Sequence, residues 1–174
     1  MKIKKLVMTK KALIAGLSLF IVYCLYKITS NYIVINKSNS LPGHVYLIKH
    51  DLNYEKDSLV LFCPDEKLTN LEEVLNNSVR SSRCKTGVNP LIKVVAATSY
   101  DDVIADGEHN LIINNKVIPN SKPSSKVPLP IWTFNGILPK DEVIVLTSNP
   151  ESLDSRYYGP IQAEQILSTV KELF

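Results

Sequence analysis

The sequence is poor in the residues that mark several protein classes. It contains 6 glycines, 10 prolines and 3 cysteines in 174 residues, which excludes collagen-like, disordered and disulfide-dense proteins. It also lacks the basic face of a nucleic-acid-binding protein, so nucleic acid is not an expected partner. The net charge is +3, but six lysines up to Lys27 precede the first acidic residue and leave −3 for the remainder. With 45% hydrophobic residues, the chain can bury the core of one domain.

One long uncharged stretch lies near the N-terminus, at residues 12–26, behind five lysines. Fifteen helical residues reach about 22 Å, short of a hydrocarbon core of about 30 Å unless Lys11 and Lys27 extend toward the headgroups and Ile28 joins. A cleaved secretory signal is the alternative, but no small-x-small cleavage pattern follows. We therefore expect a cytoplasmic tail and membrane anchor in residues 1–28, and one domain outside the cytoplasm in residues 29–174.

Beyond the anchor the pattern is mostly that of strands. Short apolar runs rich in β-branched residues occur at residues 33–35, 45–48, 59–62, 91–95 and 143–146. Residues 111–113 and 116–118 flank Asn114 and Asn115, which predicts a hairpin. Residues 121–130 are expected to form an exposed loop.

Helical spacing is found in two places after the anchor. Leu68, Leu71, Leu75 and Val79 predict one helix, and Ile161, Ile166, Val170 and Leu173 predict another that opens at Pro160. The expected architecture is mainly β, a partly open barrel or sandwich with one N-terminal transmembrane helix and two short peripheral helices.

The first segment able to carry chemistry runs from Ser38 to Gly43. A nucleophilic serine needs an exposed hydroxyl on a rigid bend, and Pro42 with Gly43 supplies such a bend. The same residues also suit an ordinary surface turn.

The second segment is the apolar run at residues 90–97, which is interrupted by Lys93. An isolated lysine there lies on a strand edge with its amine in water, or it is buried and held neutral. A neutral amine can act as a general base, which requires lowering its pKa from ~10.4 to about 7.

The third segment, residues 152–160, is dense in hydrogen-bonding side chains. Asp154 and Arg156 can pair across a loop, and a polar turn closed by a salt bridge explains them equally well.

In this order, and behind a single anchor, the three segments resemble the type I signal peptidase superfamily, whose members use a Ser–Lys dyad. The matching boxes are Ser38-Asn39-Ser40-Leu41-Pro42, Lys56-Asp57-Ser58-Leu59-Val60, Ile92-Lys93-Val94-Val95 and Ser152-Leu153-Asp154-Ser155-Arg156-Tyr157-Tyr158-Gly159. The closer likeness is to the conjugative transfer peptidases of TraF type, through Cys63-Pro64, Cys84-Lys85-Thr86-Gly87, Pro90-Leu91-Ile92-Lys93, Asn114-Asn115-Lys116-Val117 and Pro128-Leu129-Pro130. Two departures are Pro42-Gly43-His44-Val45-Tyr46, where the family has Pro-x-Gly-x-Tyr, and Thr98-Ser99-Tyr100-Asp101, where it has Gly-Asp.

The resemblance implies a role for each site residue. Ser40 would be the nucleophile and Lys93 the general base, while the Ser38 hydroxyl and the Ser40 backbone N–H would form the oxyanion hole. Ser152 would orient the Lys93 amine. Asp154 and Arg156 would support the site without transferring protons. No cofactor is implied, and His44, His50 and His109 match no metal-ligand spacing.

The resemblance also implies a substrate and a location. The expected substrate is an exported precursor, above all a pilin precursor in a conjugative transfer system, with small residues at the first and third positions before the cut. Cleavage would release the product to water, or an amine would join it head to tail. The expected location is the bacterial inner membrane, with the domain in the periplasm beside other transfer proteins.

Two other functions remain open at this point. One is a general type I signal peptidase that removes secretory signal peptides. The other is a non-catalytic, membrane-tethered component of the transfer complex.

The cysteines fit a location outside the cytoplasm. Cys24 lies in the anchor, which leaves Cys63 and Cys84 as a candidate disulfide in an oxidising compartment. Two buried free thiols are the alternative.

Overall fold

A long apolar helix comes first in the structure. The computed structural model describes residues 10–66, 68, 83–126 and 128–174, and helix α1 spans Lys10–Tyr32. Its 23 residues measure about 34 Å at 1.5 Å per residue, enough to cross a hydrocarbon core of about 30 Å. None of them is buried against the rest of the protein. By length and composition α1 can therefore cross a membrane, and it exceeds the stretch expected from the sequence.

The other elements whose bounds lie within the described residues are strands, one short helix and a 3₁₀ turn. The strands are β1 (Ile33–Ile35), β2 (Val45–Ile48), β3 (Leu59–Phe62), β4 (Leu91–Ala97), β5 (Asp102–Ala105), β6 (Ile112–Ile113), β7 (Lys116–Val117), β8 (Phe134–Ile137), β9 (Glu142–Leu146), β10 (Ile161–Gln162) and β11 (Ile166–Glu172). Helix α2 spans Ser155–Tyr158, and a 3₁₀ turn spans Ala163–Gln165. The predicted mainly β fold with an N-terminal helix is confirmed.

The strands form two antiparallel sheets. The larger has the order β1-β2-β11-β3-β4-β9-β10, and the smaller has the order β7-β6-β5-β8. Neither order closes on itself within the described residues, so the architecture is open. The β6–β7 hairpin turns at Asn114 and Asn115, which have φ of 49° and 61°. Asparagine tolerates these left-handed values, as the predicted turn requires.

The helix predicted after Pro160 is wrong. Its residues form β10, the 3₁₀ turn and β11. β11 lies between β2 and β3 inside the large sheet, so its backbone groups find partners on both sides. The helix predicted from Leu68 to Val79 lies outside the described residues except for Leu68, which is buried.

The core lies on both faces of the large sheet. One cluster includes Val60, Val95 and Val145. Another, built on the alternate positions of the same strands, includes Leu61 and Ile92. β4 is thus covered on both faces and flanked by β3 and β9, which places any polar side chain in it inside the protein.

Candidate active site

The turn after β1 holds Ser38 and Ser40, and Asn36 organises it. The Asn36 carboxamide Nδ2 donates to the carbonyl oxygens of Ser38 (3.1 Å) and Gly43 (3.2 Å). Its Oδ1 accepts from the Ser38 backbone N–H (3.1 Å) and the Ser38 hydroxyl (2.8 Å). The Ser40 N–H points to Ser38 Oγ at 3.4 Å. The two serines are therefore held on one compact bend.

The turn is fixed to the core directly after Ser40. Leu41 and Tyr46 are both buried and belong to one cluster. Burial, and then the nearby Glu172 carboxylate, raise the pKa of the Tyr46 phenol. The phenol stays neutral at ordinary pH, and the ring acts as an apolar support for the turn.

Lys93 lies in the middle of β4. In register it is opposite Val60 of β3, and its side chain is only 4% exposed. Its Nζ lies 2.6 Å from Ser152 Oγ. The strand-edge alternative for Lys93 is wrong, because β4 has a neighbour on each side.

Asp154 and Arg156 form a buried, two-pronged ion pair. The Arg156 Nε donates to Asp154 Oδ1 at 2.7 Å, and its Nη2 donates to Oδ2. Both side chains are 0% exposed. Asp154 also caps α2 by accepting from the Arg156 backbone N–H, and it accepts from the Thr147 N–H at 3.2 Å.

The same guanidinium holds the loop that carries Ser152. Arg156 donates to the carbonyl oxygens of Asn149 (2.7 Å), Pro150 (3.1 Å) and Ser152 (3.4 Å). The Ser152 N–H in turn donates to the Asn149 carbonyl at 3.1 Å. The ion pair therefore fixes the backbone from which Ser152 reaches the lysine amine.

One cavity brings the candidate catalytic side chains together. It has a volume of about 970 Å³, and its lining includes Ser38, Ser40, Lys93 and Ser152. The last turns of α1 and strand β1 also line it. Asp154 and Arg156 are not among its lining residues. The volume is at the upper end of ordinary ligand sites and leaves room for an extended peptide.

Cys63 and Cys84 form a disulfide with their Cα atoms 5.4 Å apart. The bond connects the end of β3 to the segment that leads into β4. In that segment Arg83, Asn89 and Pro90 line the cavity, and the Arg83 guanidinium donates to the Ile33 carbonyl at 3.4 Å. The disulfide thus holds one wall of the cavity.

Sequence reasoning missed Asn36 and Asn149. An asparagine two residues before a turn serine suits a side-chain turn, and Asn149 before Pro150 favours a turn start. These signals indicate local bends. They do not reveal that the Asn149 Nδ2 donates to the Asn39 carbonyl at 3.0 Å, 110 positions away in the chain.

Comparison with known proteins identifies relatives of this chain. A family model described as "Signal peptidase, peptidase S26" matches residues 6–174. The "Conjugal transfer protein TraF" of Agrobacterium tumefaciens is 34% identical over 67% of this chain and 66% of its own length. The "Probable conjugal transfer protein TraF" of Sinorhizobium fredii is 33% identical over 80% of this chain and 75% of its own length. Among solved structures, a signal peptidase I from Enterococcus faecalis V583 matches with a TM-score of 0.40 and 16% identity, over 68% of this chain and 97% of that one.

Proposed function

Because the chain belongs to the signal peptidase family, peptidase S26, we propose that it is a membrane-anchored serine endopeptidase with Ser40 as nucleophile and Lys93 as general base. Ser152 orients the lysine amine, and Asp154 with Arg156 holds the Ser152 loop. The substrate is an exported precursor that enters the cavity as an extended chain.

One observation carries this proposal: the Lys93 amine is buried in an internal strand, 2.6 Å from Ser152 Oγ, in the wall of the cavity that also contains Ser40. Burial of an amine disfavours its charged form. An uncharged amine beside a serine is what a proton acceptor requires. A structural role alone would not explain why Lys93 lines the same cavity as Ser40.

The reaction proceeds in two halves. Lys93 Nζ takes the proton from Ser40 Oγ as that oxygen attacks the scissile carbonyl carbon, and the resulting ammonium gives the proton to the leaving amine as the peptide bond breaks. The acyl group then remains on Ser40. Water, deprotonated by the same amine, attacks the ester and releases the new carboxylate, and Ser40 recovers its proton.

The oxyanion of each tetrahedral intermediate is stabilised by the Ser40 N–H and the Ser38 hydroxyl. In the resting structure the Ser38 hydroxyl donates to Asn36 Oδ1 at 2.8 Å. Its proton must therefore rotate toward the substrate when the cavity is occupied. Asn36 keeps its Nδ2 bonds to the Ser38 and Gly43 carbonyls, so the bend itself persists.

The biological setting follows from the named relatives. Two of them are conjugal transfer proteins, which supports a pilin precursor as the substrate of this chain. Helix α1 anchors the protein in the bacterial inner membrane. The preceding lysines stay in the cytoplasm, so the catalytic domain faces the periplasm.

The test is cleavage by the full chain in detergent of a synthetic precursor peptide with alanine at the first and third positions before the cut. We expect Ser40→Ala and Lys93→Ala each to lower kcat by about 10⁴ or more, as for other paired nucleophiles and bases. Matched controls are Ser99→Ala and Lys116→Ala, which remove a serine and a lysine that do not line the cavity. Cleavage at the wild-type rate by either site variant contradicts the dyad.

Mass spectrometry of a co-expressed pilin precursor separates the two fates of the acyl group. Hydrolysis gives a linear product, whereas head-to-tail joining gives a product lighter by one water molecule. The non-catalytic alternative would be supported instead if the wild-type protein cleaved no precursor and if cells carrying Ser40→Ala or Lys93→Ala still carried out conjugative transfer.

A further inference from the structure

Asn149 lies where two separate parts of the candidate active site meet. Its Nδ2 donates to the Asn39 carbonyl at 3.0 Å, and its Oδ1 accepts from the Glu151 N–H at 2.9 Å. Because both ends of the carboxamide are used, its orientation is defined by the two bonds. The side chain therefore connects the Ser40 turn to the loop that carries Ser152.

The backbone of Asn149 is held as firmly as its side chain. Its carbonyl oxygen accepts from Arg156 Nη2 at 2.7 Å and from the Ser152 N–H at 3.1 Å. Arg156 is itself buried in its ion pair with Asp154. The backbone that carries the Asn149 Nδ2 donor is therefore held in place by Arg156 and Ser152.

The acceptor of this bond belongs to the peptide group that precedes the nucleophile. The Asn39 carbonyl and the Ser40 N–H share one planar trans peptide unit, so they point in opposite directions. Holding the Asn39 oxygen fixes the direction of the Ser40 N–H, which points toward the Ser38 hydroxyl assigned to the same oxyanion hole (N to Oγ 3.4 Å). A hydrogen bond to the carbonyl also polarises the unit and strengthens its N–H as a donor.

We propose that Asn149 is a positioning residue that aims the Ser40 N–H into the oxyanion hole. This inference rests on the proposed function, since it assigns that N–H to the developing oxyanion. The bond from Asn149 acts mainly in the transition state, when negative charge builds up at the oxygen that the N–H faces. Substrate binding in the ground state depends on it little.

The decisive variant is Asn149→Asp in the full chain in detergent, assayed with the same synthetic precursor peptide. Aspartate keeps an oxygen for the Glu151 N–H but cannot donate to Asn39, and its charge repels that carbonyl. We expect kcat to fall about ten- to a hundredfold, less than the 10²–10³ for removing an oxyanion donor outright, with KM within twofold of wild type. Asn149→Ala, which has no charge, should give a loss of the same order.

Asn115→Asp is the matched control, because it makes the same change in the β6–β7 turn and should leave kcat unaltered. Thermal unfolding of each variant shows whether the protein remains folded. A kcat within twofold of wild type in both Asn149 variants overturns the inference, as does a loss that appears only in KM or only in proportion to unfolded protein. If Ser40→Ala cleaves like wild type, the proposed function fails; if it is inactive while the Asn149 variants are fully active, only this inference fails.

Discussion

At the scale of single residues, Lys93 combines an energetic cost of burial with a proposed role as general base. A side chain that is 4% exposed and shares its face of the sheet with Val60 and Val95 loses the hydration of its amine. The hydrogen bond with Ser152 Oγ recovers part of that loss. Replacing buried charged or polar groups with well-packed apolar ones often leaves a fold equally stable or stabilises it.

Lys93→Met is therefore expected to abolish cleavage without destabilising the protein. Methionine fills similar space and carries no amine, so the free energy of unfolding should stay the same or rise by about 1 kcal/mol. Chemical denaturation of both proteins in detergent measures this, with Lys116→Met, at an exposed position of β7, as the control. A loss above about 2 kcal/mol would mean that the amine's contacts stabilise the fold more than its burial destabilises it.

The Asp154–Arg156 pair should behave in the opposite way. Asp154→Ala leaves a guanidinium buried without its carboxylate, and such a change costs about 3–5 kcal/mol. The double variant Asp154→Ala, Arg156→Met should lose less than the sum of the two single changes, because each single change strands the partner. Urea unfolding of the wild type, the two single variants and the double variant gives the coupling free energy between the two side chains. Strict additivity would contradict a coupled pair, and Lys140→Ala, which breaks an exposed pair with Asp141, should change little.

At the scale of elements, the β4–β5 turn is joined to the segment before β3 by an ion pair. The Asp101 carboxylate lies 2.9 Å from Lys56 Nζ and also accepts from the Thr98 N–H and Asn114 Nδ2. Burial by itself raises the pKa of Asp101, but the hydrogen bonds from Thr98, Lys56 and Asn114 prevail and lower it below 3.8. Thr98 and Asp101 belong to the segment that replaces the family's Gly-Asp. They stabilise the β4–β5 turn and do not line the cavity.

Because the pKa of Asp101 is lower in the folded protein than in the unfolded chain, its ionised carboxylate stabilises the fold. The contribution of Asp101 is fully present above the unfolded pKa of about 3.9 and is lost as the pH falls through the lower folded value. Asp101→Asn should lower the free energy of unfolding by about 0.5–1 kcal/mol near pH 7. The variant should also lose less stability than wild type below about pH 4. Denaturation at several pH values measures both, and parallel pH curves for the two proteins would contradict the assignment.

The sequence predicted most strands because β-branched runs between turn residues depend on local chemistry. β11 was missed because the positions of Ile161, Ile166, Val170 and Leu173 also suit one face of a helix. Its partners β2 and β3 lie more than a hundred positions earlier, and no local pattern contains that information. The same reason explains the site: the roles of Ser40 and Lys93 were predicted from the resemblance of their segments to a known family, whereas the Asn149 bond to Asn39 depends on tertiary packing.

At the scale of the whole molecule, distant segments of the chain form the cavity. Its walls include the end of α1, the turn after β1, the segment before β4 and the Ser152 loop. The sheet fixes β4, and the ion pair fixes the Ser152 loop. The segment before β4 depends on the Cys63–Cys84 disulfide instead. Loss of the disulfide should therefore affect the cavity wall more than the proposed Ser40–Lys93 dyad.

The double variant Cys63→Ala, Cys84→Ala tests this division. Closing a loop of 21 positions stabilises by about 3 kcal/mol through the unfolded state, so urea unfolding should show a loss of that order. Because Arg83, Asn89 and Pro90 line the cavity, we expect KM to rise several-fold while kcat changes less. Cys24→Ala is the matched control, since Cys24 is a free thiol in α1, and it should alter neither stability nor kinetics. Reductant should reproduce the effects of the double variant in wild type and in Cys24→Ala and should leave the double variant unchanged. A fall in kcat at constant KM would instead mean that the disulfide supports the proposed dyad.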